Sequence, residues 1–445
     1  MRIAVIGGGL GGLTAARALV GAGFDAHVLE ASPRPGGVIG TSSVDGFVRE
    51  HAASSFLGGA AHGALALCEA LGVPVEQASP RAKRRWIFLD GKLRALPSNP
   101  LQLVRSDLLT WRGKLDLLRE PFREARAGTD ESVHAFAARR FGAEAARAIV
   151  APFVTGVFAA DAHDVSLAAG FPRLAALDAQ GGIARGLLKQ AAKGVVRKVT
   201  GKGAASGPRG MFAPRGGLGT LIDRLAGELG DRVHTHRRIG ELAATERGVR
   251  VDGEAWDAAV LAIPAEDAIG LVPTLPAVAM RLAAFHRAPA AQVYLGFAAD
   301  QVPLAGDGFG FLVAQGEDLR VLGVVFESTV WPDRAPAGQV LVRCIFGGSR
   351  DPDAAGLDDA MLIAQATRDV GIALGARGVP THASVVRWSR GIAQYPVGHR
   401  DHVRAAVAAA RSHRIVLAGA DYRGPGVNDL CADGDVIVEE LRSWT

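Results

Sequence analysis

Three glycines near the start of the chain have the spacing most suited to chemistry, Gly7-x-Gly9-x-x-Gly12. Glycine allows a tight turn there, close approach of the backbone to a pyrophosphate, and close packing of the following helix on its strand. The free N–H groups at the start of that helix attract phosphate oxygens. Glu30 lies eighteen residues beyond Gly12, where its carboxylate can accept hydrogen bonds from a ribose diol. The pattern predicts a dinucleotide site, and the alternative is a plain glycine-rich turn.

A second glycine pair follows the ribose acid, in the segment Arg34-Pro35-Gly36-Gly37. Its glycines let the backbone approach a cofactor, and its arginine can reach the cofactor phosphates. The segment resembles the RxGG motif of the amine oxidase-like flavoprotein superfamily. This resemblance favours FAD over NAD as the dinucleotide.

A third glycine turn lies near the C-terminus, between Leu417 and Gly434. In the flavoprotein superfamily a helix that begins after such a turn points at the flavin pyrimidine ring, and an NAD enzyme has no need of it. The resemblance therefore implies FAD, held non-covalently because no family cysteine or histidine linkage is evident. The residues it places at the cofactor in this part of the chain are Gly419, Gly426, Val427 and Asn428.

Regular elements must position these residues. The apolar run Ile3–Ile6 predicts a buried parallel strand, Leu13–Gly21 a helix, and Ala26–Leu29 a second parallel strand, which together form a βαβ unit. Two apolar runs on either side of Asp90-Gly91 predict a hairpin over 86–96. The predicted fold class is α/β.

The later elements follow from periodicity and from glycine and proline positions. Apolar residues at spacings of three and four predict one amphipathic helix from Leu101 to Phe122. The other predictions are helix over 130–158 with breaks near Gly142 and Pro152, a mobile loop over 198–210, a helix ending at Leu229, short strands near Val233, Val249 and Val260, strands over 292–297, 321–326 and 415–418, and a final helix from about Gly434 to Leu441.

Composition excludes several classes of protein. Of 445 residues, 49% are hydrophobic and 21% charged, which is typical of a folded globular protein. No apolar run reaches the roughly 18 residues of a membrane span, and no targeting segment precedes the first strand. Three scattered cysteines indicate neither disulfides nor a structural zinc site. The scattered histidines indicate no metal site either. Cysteine usage of this kind fits a reducing compartment, so we expect a cytoplasmic protein.

Positive charge is concentrated in two segments. Residues 81–126 contain twelve Lys or Arg against five Asp or Glu, and residues 179–222 contain eight against none. Such asymmetry indicates an anionic partner. Nucleic acid is the weakest candidate because neither segment contains a recognisable nucleic-acid-binding motif. We expect peripheral contact with an anionic membrane surface, on its cytoplasmic face.

Nearly the whole chain resembles the protoporphyrinogen oxidases. Residues 85–97 read RWIFLDGKLRALP, similar to the family pattern R-[FY]-[LI]-[YF]-x-x-G-x-L-x-x-L-P, and residues 422–429 read YRGPGVND. Further similar stretches are 130–142, 152–161, 166–172, 216–221 and 398–399. One segment departs from the family: residues 50–56 read EHAASSF where E-x-G-P-[ND]-[ST]-F is usual. This departure puts the identity of the substrate in doubt more than the fold.

The resemblance implies a function and a substrate site. The function is FAD-dependent oxidation of protoporphyrinogen IX to protoporphyrin IX in three two-electron steps, with oxygen as acceptor. Arg85 is placed to face a substrate propionate, which suits a guanidinium, while Phe309, Gly310, Leu312 and Ile345 sandwich the macrocycle. The alternatives for these residues are a solvated arginine and ordinary core packing. No residue stands out as a catalytic acid or base.

The family fold has three parts, and the resemblance assigns them to discontinuous segments. A Rossmann-like FAD-binding domain is expected over 1–80, 211–270 and 391–445, a mixed-sheet substrate domain over 81–97 and 271–390, and a helical membrane-facing domain over 98–210. The helix over 101–122 falls in this last domain, where it either lies in a membrane interface or packs into its own domain. A homodimer is left open.

Other functions remain open at this stage. The nearest is a coproporphyrinogen III oxidase of the same fold, whose substrate has four carboxylates. An amine oxidase or desaturase is a second, although amine oxidases of this fold usually place a lysine by the flavin, and no lysine follows Lys202. A third is a non-catalytic module that binds FAD or a porphyrin.

Overall fold

The computed structural model of the chain describes residues 1–126, 128–186 and 208–444. The strands are β1 (Arg2–Ile6), β2 (Asp25–Leu29), β3 (Thr41–Val44), β4 (Phe47–Glu50), β5 (Phe56–Leu57), β6 (Val75–Gln77), β7 (Arg85–Leu89), β8 (Lys92–Ala95), β9 (Met211–Pro214), β10 (Val233–His234), β11 (Leu242–Ala244), β12 (Val249–Val251), β13 (Glu254–Trp256), β14 (Ala258–Leu261), β15 (Arg287–Ala298), β16 (Gly310–Val313), β17 (Gly323–Val325), β18 (Gln339–Gly347), β19 (His382–Ala393) and β20 (Ile415–Leu417).

The described α-helices are α1 (Leu10–Gly21), α2 (Ala64–Ala70), α3 (Pro100–Arg105), α4 (Trp111–Leu118), α5 (Val133–Phe141), α6 (Ala143–Ala145), α7 (Ala151–Phe158), α8 (Leu167–Gly170), α9 (Pro172–Ala179), α10 (Gly219–Leu229), α11 (Ala265–Ile269), α12 (Pro276–Leu282), α13 (Glu327–Val330), α14 (Pro352–Gly356), α15 (Asp359–Leu374), α16 (His399–Arg411), α17 (Ala420–Arg423) and α18 (Val427–Arg442).

A five-stranded sheet forms the first layer of the fold, in the order β10-β2-β1-β14-β20, and each of its pairs is parallel. Ile3, Ala4 and Val5 on β1 are completely buried, as expected for a parallel strand covered on both faces. Helices α1, α10 and α18 pack on one face, and α11, α12 and α16 on the other. The predicted βαβ unit and the α/β class are confirmed.

A seven-stranded mixed sheet lies beside the first, in the order β19-β15-β18-β17-β16-β7-β8. Its strands pair antiparallel except β16 and β7, which are parallel. The predicted hairpin over 86–96 is confirmed, since Asp90 and Gly91 both have positive φ, 52° and 70°, as a two-residue type I′ turn requires. One face of the sheet packs against α15, which leaves the other face for the site.

The predicted helix from Leu101 to Phe122 is wrong as a single element. The structure has α3, then a non-helical segment, then α4 and a short 3₁₀ turn over Glu120–Phe122. Asn99 caps α3 and Thr110 caps α4 through their side chains, so a new helix start interrupts the apolar stripe.

Other boundaries also differ. The break at Gly142 is confirmed, but Pro152 lies near the start of α7 directly after a π-turn over Ala146–Val150, so no break occurs there. The last helix starts at Val427 rather than near Gly434. The strand predicted over 321–326 is the shorter β17, and β9 precedes the helix that ends at Leu229. Most of the loop predicted over 198–210 lies outside the described residues.

The sheets use segments that are far apart in sequence. The five-stranded sheet takes strands from 1–80, 211–270 and 391–445, while β7 and β8 join a sheet whose other strands come from 287–393. The boundaries assigned to the three domains stay a prediction. No helix among the described residues has both the length and the apolar character needed to cross a membrane.

Candidate active site

The loop between β1 and α1 and the first turn of α1 contain two glycines with different surroundings, Gly9 in the loop and Gly12 in the helix. A Cβ added at Gly12 would lie 1.9 Å from the carbonyl oxygen of Gly7, so packing within the loop itself excludes any larger residue. A Cβ added at Gly9 would meet no described atom within 4 Å. Gly9 therefore borders open space at the N-terminus of α1, where a pyrophosphate can approach the backbone.

Residues 34–37 join this loop and complete a cradle of backbone atoms. The N–H of Gly36 donates to the carbonyl oxygen of Gly8 at 2.7 Å, and Gly9 and Gly36 pair as an isolated parallel bridge. A Cβ at Gly37 would lie 3.3 Å from the Cα of Gly9. The structure thus brings together the two glycine motifs singled out in the sequence.

Glu30 lies at the end of β2, buried with 7% of its surface exposed. Its Oε2 accepts a hydrogen bond from the N–H of Gly8 at 2.6 Å, and its Oε1 accepts one from the N–H of Ser32 at 2.7 Å. Each carboxylate oxygen can accept a further hydrogen bond. These contacts fix the carboxylate beside the cradle and leave acceptor sites for a diol.

Arg34 is exposed and projects from the same cradle. Its Nη1 donates to the carbonyl oxygens of Pro35 and Ile39 at 3.2 and 3.0 Å. Within the described part of the chain no carboxylate forms an ion pair with it. The contact of Arg34 with cofactor phosphates stays a prediction.

A second helix start lies against the first. A Cβ at Gly11 would lie 3.3 Å from the Cα of Gly419, and the hydroxyl of Thr14 donates to the carbonyl oxygen of Leu430 at 2.8 Å. The first turns of α1 and α18 are therefore adjacent. Two positive helix-dipole ends favour negative charge in this region.

The residues at the start of α18 have partners within the chain. The amide of Asn428 accepts a hydrogen bond from the N–H of Ala64 at 2.9 Å and donates one to the carbonyl oxygen of Leu57 at 2.7 Å. The N–H of Gly426 donates to Asp429, and Val427 is buried. Asn428 thus holds β5 and the start of α2 against α18, and its contact with a cofactor stays a prediction.

These features fit a flavin dinucleotide. The open space at Gly9, the adjacent helix starts and the fixed carboxylate of Glu30 match the charge and hydrogen-bonding groups of its pyrophosphate and ribose. The residues that would hold the dinucleotide are those of the cradle, Glu30, and the turns before α17 and α18.

The predicted substrate residues meet on the mixed sheet. Arg85 on β7 is directly opposite Gly310 on β16, and its guanidinium carbon lies 5.2 Å from the centre of the Phe309 ring. Arg85 is exposed and forms neither a hydrogen bond through its side chain nor an ion pair with any described residue. The neighbouring Arg84, in contrast, pairs with Asp307 at 2.5 Å. Arg85 is therefore free to bind an anion.

Leu312 and Ile345 lie close together on the same sheet face. Leu312 on β16 and Ile345 on β18 are both paired with Gly323 on the intervening strand β17. A Cβ added at Gly156 on α7 would lie 2.6 Å from Leu312 Cδ2. The structure therefore brings the predicted apolar residues together, next to the N-terminal end of β16 where Arg85 lies.

The sequence prediction missed the residues that connect this face to the cofactor cradle. Arg343 donates to the carbonyl oxygen of Ala52 and to the Ser54 hydroxyl, both at 3.0 Å. Gln292 also donates to the carbonyl oxygen of Ala52, at 3.1 Å, and Trp388 to that of His51, at 2.8 Å. These side chains hold residues 51–54, the segment that departs from the family pattern.

Buried ion pairs lie next to residues 51–54. Glu50 lies 2.8 Å from Arg334, and Arg343 lies 2.8 Å from Glu327. Burial raises the pKa of Glu50 above its usual value, and Arg334 opposes that shift. One sequence signal could have revealed Arg343: it is a charge within an apolar strand, two positions before Ile345 and therefore on the same face.

The titratable groups near the site give little indication of acid–base chemistry. Burial, followed by the charges of Arg34 and Arg49, lowers the pKa of His51, so this imidazole is neutral at pH 7. Among residues 1–126, 128–186 and 208–444, no three or more His, Cys, Asp and Glu side chains cluster as metal ligands.

Comparison with known proteins assigns the family. The chain belongs to the flavin-containing amine oxidoreductases, whose family model matches residues 10–429. It is therefore a flavin-dependent oxidoreductase.

Individual relatives extend over nearly the whole chain. It is 31% identical to the protoporphyrinogen oxidase of Homo sapiens, over 97% of this chain and 96% of that one. It is 26% identical to the coproporphyrinogen III oxidase of Bacillus subtilis, over 99% and 98%. A solved structure from Exiguobacterium sp. 255-15, provisionally named a protoporphyrinogen oxidase, superposes with a TM-score of 0.83 at 21% identity, over 100% of this chain and 99% of the other. These relatives support a flavin oxidase of the tetrapyrrole pathway.

Proposed function

We propose that the protein binds FAD non-covalently and oxidises protoporphyrinogen IX to protoporphyrin IX. The observation that carries the proposal is the position of Arg85, a cation without an ion-pair partner among the described residues, beside Phe309 and at the edge of the face that contains Leu312 and Ile345. A flat apolar ligand with a carboxylate at its rim matches this arrangement.

The overall reaction balances with oxygen as the acceptor. Protoporphyrinogen IX loses six hydrogen atoms in three two-electron steps, and three molecules of oxygen become three of hydrogen peroxide. When bound, FAD would supply a hydride acceptor that oxygen can reoxidise.

The side chains of this chain bind and orient. Arg85 binds a propionate, and the apolar side chains of Leu312 and Ile345 exclude water from the face of the macrocycle. Arg343 holds Ala52 and Ser54 against the mixed sheet through its two hydrogen bonds. No side chain is assigned a proton-transfer role.

A second candidate is the oxidation of coproporphyrinogen III, which has four carboxylates. The specific observation that favours it is Arg350, which lies beside Val313 and Ala314, at the opposite end of β16 from Arg85. Among the described residues it has no carboxylate partner, and its side chain donates to Thr155. The relative from Bacillus subtilis is named for this reaction.

A steady-state assay tests the proposal. Purified protein is mixed in air with each porphyrinogen, and porphyrin fluorescence and hydrogen peroxide are followed together. We expect porphyrin from protoporphyrinogen IX and three molecules of peroxide for each porphyrin. Preference for coproporphyrinogen III would select the second candidate, and turnover of neither would reject both.

We also propose that the protein is cytoplasmic and binds the cytoplasmic face of the membrane peripherally. The support is a set of exposed apolar side chains on α3, α4 and the following turn, with Trp111 63% and Phe122 84% exposed. Arg105, Arg112 and Arg119 are exposed on the same elements. Apolar and basic side chains together suit an anionic membrane interface.

A further inference from the structure

An open groove of about 250 Å³ lies at the C-terminal end of β16. The groove is lined from both sides of the sheet, by Val313 from the α15 side and by Ala314, which packs with Ile87 and Leu89 on the substrate side. Arg350 is among its charged lining residues. Arg85 marks the other end of the strand, because it pairs with Gly310. At about 3.3 Å per residue, Gly310 and Ala314 are about 13 Å apart.

The acidic side chains around the groove already have partners. Asp351 forms a two-pronged ion pair with Arg320, at 2.6 and 3.0 Å. Glu317 accepts hydrogen bonds from the N–H groups of Asp90 and Gly91, at 2.8 and 2.9 Å. None of these carboxylates neutralises Arg350.

Asp161, on the turn that follows α7, is also occupied. Its carboxylate accepts hydrogen bonds from the backbone N–H of His163 at 2.9 Å and from the side-chain amide of Gln315 at 3.1 Å. It also lies 2.7 Å from the Nδ1 atom of the His163 imidazole. It is the acid whose charge acts on Arg350, but the two do not approach within ion-pair distance.

Arg350 itself is partly buried and has a neutral partner. Its Nη1 donates to the Thr155 hydroxyl at 3.2 Å, and no carboxylate of the described residues lies within 4 Å. Burial lowers the pKa of Arg350, and Asp161 opposes that shift. Removing a guanidinium from water without a counter-ion is unfavourable, so a bound anion would stabilise it.

Helix α7 places this guanidinium next to the substrate face. Thr155, which accepts the hydrogen bond from Arg350, precedes Gly156, and the backbone of Gly156 packs against Leu312. Ser349, the residue before Arg350, donates its N–H to the carbonyl oxygen of Ala159 at 2.8 Å. Arg350 is therefore fixed to the helix that borders the predicted apolar sandwich.

We propose that Arg350 is a second carboxylate-binding residue of the substrate site, placed to hold a propionate at the edge of the macrocycle opposite to the edge held by Arg85. The inference rests on the proposed function. Protoporphyrinogen IX carries its two propionates on neighbouring pyrroles, so one edge of the ring is anionic. Coproporphyrinogen III carries one on each pyrrole and can reach both arginines. Arg350 thus determines how well the four-carboxylate substrate is accepted.

Equilibrium binding of the oxidised porphyrins tests this assignment without relying on turnover. Coproporphyrin III and protoporphyrin IX are titrated into the flavin-loaded wild type, R350Q, R350K and R404Q, and porphyrin absorbance is followed. We expect R350Q to weaken binding of coproporphyrin III about tenfold, as for the loss of one hydrogen bond to a charged group, and that of protoporphyrin IX less than twofold. R350K should restore part of the loss because it keeps the charge but not the fork.

R404Q is the matched control. Arg404, on α16, has a side chain that is 77% exposed, is ion-paired with Asp401 and does not line the groove, so this variant removes one charge and should bind both porphyrins like wild type. Should R350Q lose its flavin or fail to fold, T155V gives the same test: it keeps the charge and removes the neutral acceptor of Arg350, and we expect weaker binding of coproporphyrin III alone.

The binding results distinguish a failure of the role of Arg350 from a failure of the proposed function. Equal loss of both porphyrins in R350Q, or no loss of either, would overturn the role of Arg350. A larger loss for protoporphyrin IX would assign Arg350 to the edge now given to Arg85, and would also overturn it. If flavin-loaded wild type bound neither porphyrin, the proposed function would fall instead.

Discussion

The cofactor cradle and the substrate face are built in different ways. Around Gly9 and Gly36, backbone atoms meet backbone atoms: the N–H of Gly36 lies 2.7 Å from the carbonyl oxygen of Gly8, and there is no room for a side chain at Gly12. On the substrate face, the groups that matter are side chains, Arg85 on β7 and Arg350 on the turn after β18, and neither has an ion-pair partner in the described part of the chain.

This difference determines what each region tolerates. A backbone cradle depends on a few glycines for its shape, so single substitutions there act on folding or on access. An arginine that has no carboxylate partner can be replaced without leaving an unpaired buried carboxylate behind. Substitutions in the cradle should therefore change the free energy of unfolding or cofactor binding, whereas substitutions of these arginines should change substrate binding alone.

The largest effects are expected at Gly12 and Gly9, where substitutions should act on different quantities. Gly12→Ala places a Cβ against the carbonyl oxygen of Gly7 and should lower the free energy of unfolding by about 3 kcal/mol or more. Gly9→Val should leave that free energy nearly unchanged, because Gly9 has extended backbone angles and open space beside it. It should nevertheless abolish flavin binding. Urea unfolding of the apoproteins and flavin content measure the two quantities.

If Gly9→Val lowered the free energy of unfolding of the apoprotein as much as Gly12→Ala does, the different roles assigned to the two glycines would be contradicted. The open space at Gly9 would then be needed by the chain and not by a ligand.

Protonation of a buried histidine should lower the free energy of unfolding at acid pH. His399, stacked on Tyr395 with ring centres 4.0 Å apart, has its pKa lowered to about 4 by burial, while Asp421 and Asp130 oppose the shift and His402 adds to it. Between pH 6.5 and 4 the unfolded chain binds a proton that the folded chain does not. His399 alone should therefore lower the free energy of unfolding by about 3 kcal/mol as the pH drops through this window. Asp433, whose pKa burial raises to about 6, contributes in the opposite direction.

H399Q should remove the contribution of His399, whereas H62Q, at a position where the side chain is 76% exposed, should leave it intact. Urea unfolding at pH 7, 5.5 and 4.5 measures the slope. An equal slope in wild type and H399Q would show that another group carries the acid sensitivity.

Arg85 should affect binding and not stability. Arg85→Ala should raise KM for the porphyrinogen roughly ten- to a hundredfold, as for the loss of a hydrogen bond to a charged group. It should leave kcat nearly unchanged, because the contact is far from the reacting carbon and similar in ground and transition states. Arg84→Ala, which breaks the ion pair with Asp307, is the control and should leave KM alone. A fall in kcat with KM intact would contradict a positional role.

The smallest effects should come from the surface proposed to contact a membrane. Flotation with anionic vesicles should recover the protein at low salt and lose it at high salt, since each basic residue near the surface contributes about 1 kcal/mol and salt screens it. Phe122→Ser should weaken flotation without changing stability, because that ring is 84% exposed. Equal recovery with neutral and anionic vesicles would remove the electrostatic part of the proposal.

The same contrast explains which features the sequence predicted. The cradle could be predicted because its constraints are local: Gly12 and Glu30 lie within one βαβ unit of fixed spacing. The hairpin could be predicted because Asp90-Gly91 fixes its own turn. The helix over 101–122 was wrong because apolar spacing persists across the cap at Thr110, and periodicity alone does not register a new helix start.

The substrate face was predicted only in part. Arg85, Leu312 and Ile345 came from resemblance to a family. Arg343 and Arg350 were missed because their significance depends on partners more than 150 residues away, such as Ser54 and Thr155. Whether an arginine lacks a carboxylate partner is a property of the folded chain, and no local pattern records it.

The most direct test of the central claim is a single anaerobic mixing experiment. Purified yellow protein is mixed with protoporphyrinogen IX in the absence of oxygen, and flavin absorbance is followed together with porphyrin fluorescence. The account predicts that the flavin bleaches and that admitting oxygen restores its colour and completes porphyrin formation. A flavin that stays oxidised after mixing with protoporphyrinogen IX, and again with coproporphyrinogen III, would contradict it.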